Sequence, residues 1–465
     1  MEKRTLIRYL LIFLNLLTYS LIVVLLFTHL QSDIKYQFNN LQHDVIYYTK
    51  SLIYGTNYAC EGCNIILIVV DTLRADHLPC YGYVEDTAPA ICSIASEGVL
   101  FENAFSQASH STLSFESMLT SKYGYAASVG FITLPEILGL YNYSTAAFVA
   151  NGHLGAEKYV KLFNNYTEFI DIKKWEAEGK ANDINNYAYN SSVVTLEVLE
   201  WLREHKSEKT FVYINYMDVH TPRIVSDSES PASYQDAIKA ADSSISRLVK
   251  GLESEGFLNN VILIITSDHG EELGDHGRYG HAHSLYEEQL HVPLILKYPN
   301  SKPVRVKSNV RLLDLMPTLL EMVNITQPVD IEGISLLPLV SGAEDNLNLP
   351  IYSMADHEKL RVSLRNNNTK YIITFSQNLT EYLHAINGIN LSLSLESEEI
   401  YNLELDPKEK NNLTGTQETK AYREEALVWL QKNVKMLQIK YLGGSWQVNT
   451  KPYPDTYFEV NENQP

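Results

Sequence analysis

Continuous apolar runs recur along the chain and predict buried strands. Four of them are Asn64–Val70, Ser144–Ala150, Phe211–Tyr216 and Val261–Thr266. Runs of this length are typical of strands that are covered on both faces of a parallel sheet. Between them, apolar residues recur at helical spacing, as in Ile238–Leu252. Strands that alternate with helices predict an α/β domain of three layers with a largely parallel sheet.

The longest apolar run lies at the N-terminus. Tyr9–Phe27 carries no charged residue, and Lys3, Arg4 and Arg8 precede it. As a helix this run would span about 28 Å, close to the hydrocarbon thickness of a membrane. The positive-inside rule then puts the N-terminus in the cytoplasm and the rest of the chain outside. A cleaved signal peptide is the alternative, but Thr28–Gln31 lacks a small-x-small cleavage site, which favours a single-pass anchor.

Two further changes of pattern divide the chain. Apolar residues between Ile34 and Leu52 alternate at spacings of four and three, which predicts a helical stalk that lies on the next domain or pairs weakly with a second copy. Beyond residue 330, short strand-like runs such as Tyr371–Phe375 and a closing helix at Ala421–Met436 predict a smaller α+β unit. We therefore predict a membrane anchor (1–30), a stalk (31–62), a catalytic domain (63–330) and a C-terminal subdomain (331–465).

Composition excludes some classes of protein. The 465 residues carry a formal net charge of −19, and an acidic surface repels phosphate backbones, so nucleic acid is not an expected partner. The four cysteines are too few for a disulfide scaffold. Cys60 and Cys63 form a lone C-x-x-C motif, and Cys80 and Cys92 are not at zinc-ribbon spacing. We interpret the cysteines as local bridges or as small buried hydrophobes.

Polar residues follow three of the four strand-like runs within a few residues. Asp71 follows the first, Asp218 and His220 follow the third, and Asp268 and His269 follow the fourth. A single Asp after a strand is more often a helix cap. However, ligands of open α/β sheets bind at the carboxyl ends of the strands, where these side chains should converge. The convergence predicts a site with metal-ligand chemistry at one edge of the sheet.

Four blocks of sequence resemble the sulfatase family of the alkaline phosphatase superfamily. They are Asn64–Tyr83 (NIILIVVDTLRADHLPCYGY), Ser109–Tyr123, Thr266–Pro293 and Glu399–Leu413, and the last is similar to the C-terminal signature of the family. All four stand in the order and spacing of the family. The resemblance implies an alkaline-phosphatase-like fold and the hydrolysis of sulfate, phosphate or phosphonate esters.

The resemblance also implies a metal site. Asp71, Asp268 and His269 match metal ligands of the family, together with Ser111, and they would hold one divalent cation, Ca²⁺ or Mn²⁺. Sulfatases commonly carry a second acid after the first Asp, where this chain has Thr72. In that respect the chain is more similar to the phosphonate monoester hydrolases of the same superfamily.

Ser111 stands where the family has its nucleophile. It precedes a short predicted helix through Thr120, whose N-terminus would favour an anionic ester; a plain N-cap is the structural alternative. Sulfatases that form formylglycine carry C/S-x-P-x-R, but Ser111–Phe115 reads STLSF. We therefore expect an unmodified serine, activated by the cation.

Three histidines complete the catalytic candidates. His220 matches a family histidine that contacts the ester. His281 and His283 lie where the family has a Lys or His near the leaving group, and the sequence leaves the choice between them open. An imidazole there could donate to the departing oxygen or contact the ester oxygens. A buried or surface histidine without a catalytic role is the alternative for each.

These observations together predict a metal-dependent, sulfatase-like hydrolase that faces outside the membrane. Its substrate would be an ester of a small molecule, a glycan or a lipid. The alternative is a membrane-anchored transferase that moves phospho-alcohol groups onto envelope polymers or lipids, although such enzymes usually carry several membrane helices. A non-catalytic binding protein is the third hypothesis, but such a protein is expected to have lost metal ligands, and here all three candidates are present.

Overall fold

The computed structural model describes residues 60–123, 131–155, 157–169, 188–221, 223, 232–328, 330–376, 392–433, 437–442 and 445–450. The predicted membrane anchor and nearly all of the predicted stalk lie outside these ranges. Within them, no helix combines the length and the apolar character that a membrane span requires. The four-part division of the chain therefore stays a prediction.

A mixed sheet of eight strands forms the centre of the fold, in the order β10-β2-β9-β6-β1-β5-β3-β4. Its strands are β1 Asn64–Val70, β2 Val99–Phe105, β3 Tyr143–Val149, β4 Asn165–Glu168, β5 Lys209–Tyr216, β6 Val261–Thr266, β9 His291–Lys297 and β10 Val304–Arg311. A separate two-stranded hairpin consists of β7 Glu272–Leu273 and β8 Tyr279–Gly280. All four predicted runs are strands, within two residues at each end.

Only β9 departs from the parallel arrangement, since it runs antiparallel to both β2 and β6. The other neighbours in this sheet are parallel. The physical reason is the segment between β6 and β9, which stays at the carboxyl edge where β6 ends, so that the next strand must start from that edge. The prediction of a largely parallel sheet in an α/β domain is confirmed, with one reversed strand.

Helices cover both faces of this sheet. On β5, Val212, Ile214 and Tyr216 pack into the apolar cluster that includes the helices 191–204 and 234–254. Tyr213 points to the other face, where its ring meets Phe115 with the centroids 5.2 Å apart. The helices are α1 Pro89–Glu97, α2 Ser111–Thr120, α3 Leu134–Leu140, α4 Glu157–Val160, α5 Ser191–Glu204, α6 Tyr234–Ser254, α7 Glu287–Leu290, α8 Leu315–Met322, α9 Leu337–Val340 and α10 Gln417–Asn433.

A second, antiparallel sheet follows, in the order β11-β12-β13-β14-β16-β15. Helix α10 packs on it through Trp429, whose ring stacks on Tyr352 at 4.7 Å. This helix begins four residues before the predicted start, because the Thr416 hydroxyl accepts a hydrogen bond from the Thr419 amide and caps it. The strands are β11 Ile351–Ala355, β12 Arg361–Asn366, β13 Thr369–Phe375, β14 Ser392–Asn402, β15 Leu437–Leu442 and β16 Ser445–Thr450.

The four cysteines form two local disulfides. Cys60 pairs with Cys63, and Cys80 pairs with Cys92. This outcome agrees with the interpretation of the cysteines as local bridges, and it removes them as zinc ligands.

Candidate active site

Two carboxylates and an imidazole meet at the carboxyl edge of the main sheet. Asp71 follows β1, and Asp268 and His269 follow β6, which is the parallel neighbour of β1. One ligand atom from each of the three side chains lies within 4.8 Å of the others. The structure thus brings together three of the residues that the sequence analysis assigned to a metal site.

The cluster has the character of a cation site. All three side chains are buried, and the oxygens Asp71 Oδ1 and Asp268 Oδ2 have no hydrogen-bond partner in the described structure. Burial and the neighbouring Asp71 raise the pKa of Asp268 well above its ordinary value. Buried, unpaired carboxylate oxygens that face one another are costly unless a cation neutralises them. With an imidazole as the third donor, the set fits a divalent cation such as Ca²⁺ or Mn²⁺.

The electrostatics of Asp71 and His269 are coupled through this cluster. Burial alone would raise the pKa of Asp71, but the imidazoles of His220, His269 and His281 lower it overall. Burial lowers the pKa of His269, and the nearby His110 lowers it further against the pull of Asp71. A neutral imidazole and an ionised carboxylate are the forms that bind metal ions.

Ser111 stands next to the cluster as the first residue of α2. Its Oγ lies 3.2 Å from Asp71 Oδ2 and 3.3 Å from His269 Nε2, and only 7% of the residue is exposed. The helix that the sequence predicted through Thr120 is present. A hydroxyl in this place can be bound by the same cation as the carboxylates.

Asn151 is a site residue that the sequence analysis missed. Its amide nitrogen donates to Asp71 Oδ2 at 2.8 Å and to Ser111 Oγ at 2.9 Å, and the residue is buried. Asn151 stands two residues after β3, at the same edge as Asp71. Its position at that strand end was the available clue, but an Asn after a strand is common in turns.

His220 and His281 form a chain of imidazoles with His269 beside the cluster. The ring centroids of His281 and His269 are 4.5 Å apart, and those of His281 and His220 are 5.0 Å apart. Burial lowers the pKa of both His220 and His281. The buried carboxylate of Glu271 lies 3.5 Å from His281 Nδ1.

His283 has different surroundings, although it is only two residues away. Its Nδ1 lies 2.8 Å from the carbonyl oxygen of His281, and its Nε2 lies 3.4 Å from Glu272 Oε1. Between the two histidines, Ala282 adopts a φ of 68°, a left-handed conformation that turns their side chains apart. The structure therefore places the ring of His281 against His269, whereas His283 contacts its own loop and Glu272.

Thr72 occupies a strained position beside Asp71. Its φ is 59°, which is rare for a β-branched residue, and its hydroxyl is buried without a hydrogen-bond partner in the described structure. The Tyr234 hydroxyl donates to its carbonyl oxygen at 2.7 Å and holds this turn. Strain of this kind is concentrated at functional sites.

Asp218 follows a strand, but its side chain binds the N-terminus of a helix. Its carboxylate accepts from the Ser191 amide at 3.0 Å and from the Ser191 hydroxyl at 2.9 Å, at the first residue of α5. Burial raises its pKa to about 6. Of the strand-end polar residues, Asp218 thus takes the commoner structural role.

Fold and site together define the class of protein. A protein in the alkaline phosphatase superfamily from Vibrio parahaemolyticus has a similar fold, with a TM-score of 0.60 and 12% identity over 81% of this chain and 87% of that one. The model of the sulfatase family matches residues 63–325, which is more than half of the chain. This protein therefore belongs to the sulfatase family. A second model, described as N-sulphoglucosamine sulphohydrolase, C-terminal, matches residues 274–438.

Particular relatives agree with this assignment. An arylsulfatase of Clostridium perfringens is 25% identical over 77% of this chain and 91% of its own length. An N-acetylglucosamine-6-O-sulfatase of Bacteroides thetaiotaomicron is 29% identical over 65% of this chain, which covers 54% of that relative. The prediction of a sulfatase-like ester hydrolase is confirmed at the level of the family.

Solved structures agree in fold. A protein determined in complex with its substrate D-glucosamine-2-N,6-O-disulfate has a TM-score of 0.61 and 20% identity, over 80% of this chain and 98% of that one. The phosphonate monoester hydrolase of Agrobacterium radiobacter has a TM-score of 0.58 and 16% identity, over 84% of this chain and 100% of that one. At these identities the similarity shows the fold alone.

Proposed function

We propose that this protein hydrolyses sulfate esters of sugars or other small alcohols, with Ser111 as the nucleophile. The observation that carries the proposal is the contact of Ser111 Oγ with Asp71 and His269, inside a cluster that fits a divalent cation. The proposal that the alcohol is a sugar rests on the relatives, since one is named as a sulfatase of N-acetylglucosamine and the structure of another contains a sulfated glucosamine.

Asp71, Asp268 and His269 would hold the cation, which when bound lowers the pKa of a neighbouring hydroxyl and stabilises negative charge on the ester. Ser111 Oγ then forms a bond to sulfur as the bond from sulfur to the alcohol oxygen breaks. The imidazole of His220 or His281 takes the serine proton and passes it to the departing oxygen. Water next attacks sulfur and gives a proton to the same imidazole, the bond from sulfur to Ser111 Oγ breaks, and the imidazole passes that proton to Ser111 Oγ, so that sulfate leaves and the serine is restored.

Phosphonate monoesters or phosphodiesters are the second candidate class of substrate. Two sequence features favour them, namely the STLSF motif without Pro and Arg after Ser111, and Thr72 in place of a second acid. A formylglycine hydrate can expel sulfate by collapsing to an aldehyde, whereas a plain serine ester must be split by water. Serine esters of phosphoryl and phosphonyl groups suit that second step well.

An extracytoplasmic location also stays a proposal. It rests on the Tyr9–Phe27 run with its basic flank and is supported by the two disulfides, which form in oxidising compartments. A reporter fused to the C-terminus should be active only outside the cytoplasm. Recovery of the mature protein in the soluble fraction without residues 1–30 would instead show a cleaved signal peptide.

A panel of esters tests the activity. The full chain would be assayed with an aryl sulfate, sulfated monosaccharides, a phosphodiester and a phosphonate monoester, after chelation and after addition of Ca²⁺ or Mn²⁺. We expect turnover that requires the cation and is lost in Ser111→Ala. The matched control is Ser117→Ala, which removes from the same helix a buried hydroxyl that has no hydrogen-bond partner in the described structure. Full activity of Ser111→Ala, or no turnover of any ester, would contradict the proposal.

A further inference from the structure

The second sheet is joined to the segment that leads into the nucleophile. Met354 of β11 donates its amide to the Gln107 carbonyl at 3.0 Å, and its own carbonyl accepts from the Ser109 amide at 3.3 Å. Ala108 and Met354 form a parallel β-bridge. This pairing fixes the backbone up to His110, the residue before Ser111, against the end of β11.

A side-chain pair continues this junction. Asp356, directly after β11, places its Oδ1 at 2.8 Å from His110 Nε2. Since an ionised carboxylate only accepts, His110 Nε2 carries the proton of this bond. Asp356 is nearly buried, with 8% of its side chain exposed, whereas 21% of the His110 side chain is exposed. The buried carboxylate therefore holds a partly open imidazole in one orientation.

The position of His110 indicates which part of the substrate this residue could contact, namely the alcohol of the ester. The inner surroundings of Ser111 Oγ are taken by Asp71, His269 and Asn151, all of which are buried. The alcohol of an ester attacked there has room on the more open side, and the partly exposed imidazole of His110, which directly precedes Ser111, is available to it. A fixed imidazole at such a place offers Nδ1 as a hydrogen-bonding group to the hydroxyls of an alcohol such as a sugar.

We propose that His110 is a specificity-determining residue that contacts a hydroxyl of the sugar that carries the ester, and that Asp356 is its positioning residue. The C-terminal sheet would then supply part of the substrate site. This inference rests on the proposed function, because it names the alcohol class of the same ester.

The test compares two kinds of ester on the full chain. His110→Ala, Asp356→Ala and Asp356→Asn would be assayed with an aryl sulfate, which lacks sugar hydroxyls, and with the best-cleaved monosaccharide from a set of O- and N-sulfated sugars. For the sugar sulfate we expect KM to rise about tenfold in His110→Ala, from the loss of one oriented hydrogen bond. For the aryl sulfate, kcat/KM should stay within about threefold, since no such bond is lost.

Asp356 should act through His110. Asp356→Ala should therefore repeat the selective rise in KM, Asp356→Asn should restore part of it because its amide oxygen still accepts from Nε2, and the double variant should be no worse than His110→Ala. His205→Ala is the matched control, because that imidazole stacks on Trp201 in α5, outside the site.

The outcomes separate this inference from the proposed function. Equal losses of kcat with both substrates would make the pair a support for Ser111 and overturn the inference, and unchanged constants would also overturn it. A wild-type enzyme that cleaves the aryl sulfate but no sugar sulfate would overturn the inference and leave the hydrolase standing. Turnover of neither ester would mean that the proposed function itself has failed.

Discussion

The cation site can be tested by the substitution Asp268→Asn, which should raise the stability of the folded protein without the metal and lower it, relative to the wild type, with the metal. Asp268→Asn keeps the oxygen that accepts from the His269 amide at 3.0 Å, and it replaces the unpaired Oδ2 with an amide nitrogen. Two unit charges 4.8 Å apart, the outer limit of the cluster, repel by about 3.5 kcal/mol at an effective dielectric of about 20. Asp268 can take up a proton, which removes part of this repulsion in the wild type. In the presence of chelator we therefore expect Asp268→Asn to be about 1–3 kcal/mol more stable than the wild type.

Added cation should reverse the order. A ligand at a hundred times its Kd stabilises the folded state by about 2.7 kcal/mol. In a protein of this size that corresponds to a rise in Tm of roughly 3 °C. The wild type should show this rise with Ca²⁺ or Mn²⁺, and Asp268→Asn should show little of it, because a carboxylate ligand is gone.

The pH dependence of the free energy of unfolding gives a further test of Asp268. The pKa of Asp268 in the folded protein lies above the ordinary value of 3.8, so the folded state binds more protons than the unfolded state. In chelator, the free energy of unfolding should therefore fall as pH rises above about 4, and Asp268→Asn should lack this component. Thermal unfolding in chelator and in cation, at several pH values, measures all three effects. Equal stabilisation of the wild type and Asp268→Asn by the cation would refute the cation site. So would an Asp268→Asn variant that is less stable than the wild type in chelator.

Other substitutions give three separate tests. Asn151→Ala removes the donor to the nucleophile and should lower kcat about 10²-fold by steady-state kinetics; a change in KM alone would contradict this role. His281→Ala should also lower kcat about 10²-fold, whereas His283→Ala should chiefly lower Tm, and the reverse pattern would exchange their roles. Lys370→Met removes the buried ammonium that pairs with Glu287 and Glu409, and it leaves the buried Glu409 carboxylate without a cationic partner in the described structure; it should cost about 3–5 kcal/mol in urea unfolding, against under about 1 kcal/mol for the more exposed Lys359→Met, and equal costs would refute this.

The parts of the fold that could be predicted are those with strong local patterns. All positions of β1 except Asn64 and all positions of β6 except Thr266 are apolar, which leaves no solvent-facing side, so buried strands follow from the sequence. The position of Asp71 and Asp268 at one edge then follows from the parallel arrangement. The direction of β9 could not be predicted, since an apolar run has the same pattern in either direction.

The rest of the site depends on contacts between distant residues or on backbone details. Asn151 acquires its role only because β3 and β1 end at the same edge, 80 residues apart along the chain. The choice between His281 and His283 depends on the left-handed conformation of Ala282, which no local pattern indicates. The pairing of His110 with Asp356 joins two sheets across 246 residues.

The central claim is that an unmodified Ser111 is the nucleophile, and mass spectrometry of the peptide that contains it tests this most directly. The protein would be analysed at rest and after acid quenching during turnover of its best ester. We predict the mass of a plain serine at rest, and during turnover a fraction that carries one sulfuryl or phosphoryl group on Ser111. An aldehyde mass at position 111, or an ester group on a different residue, would contradict the account.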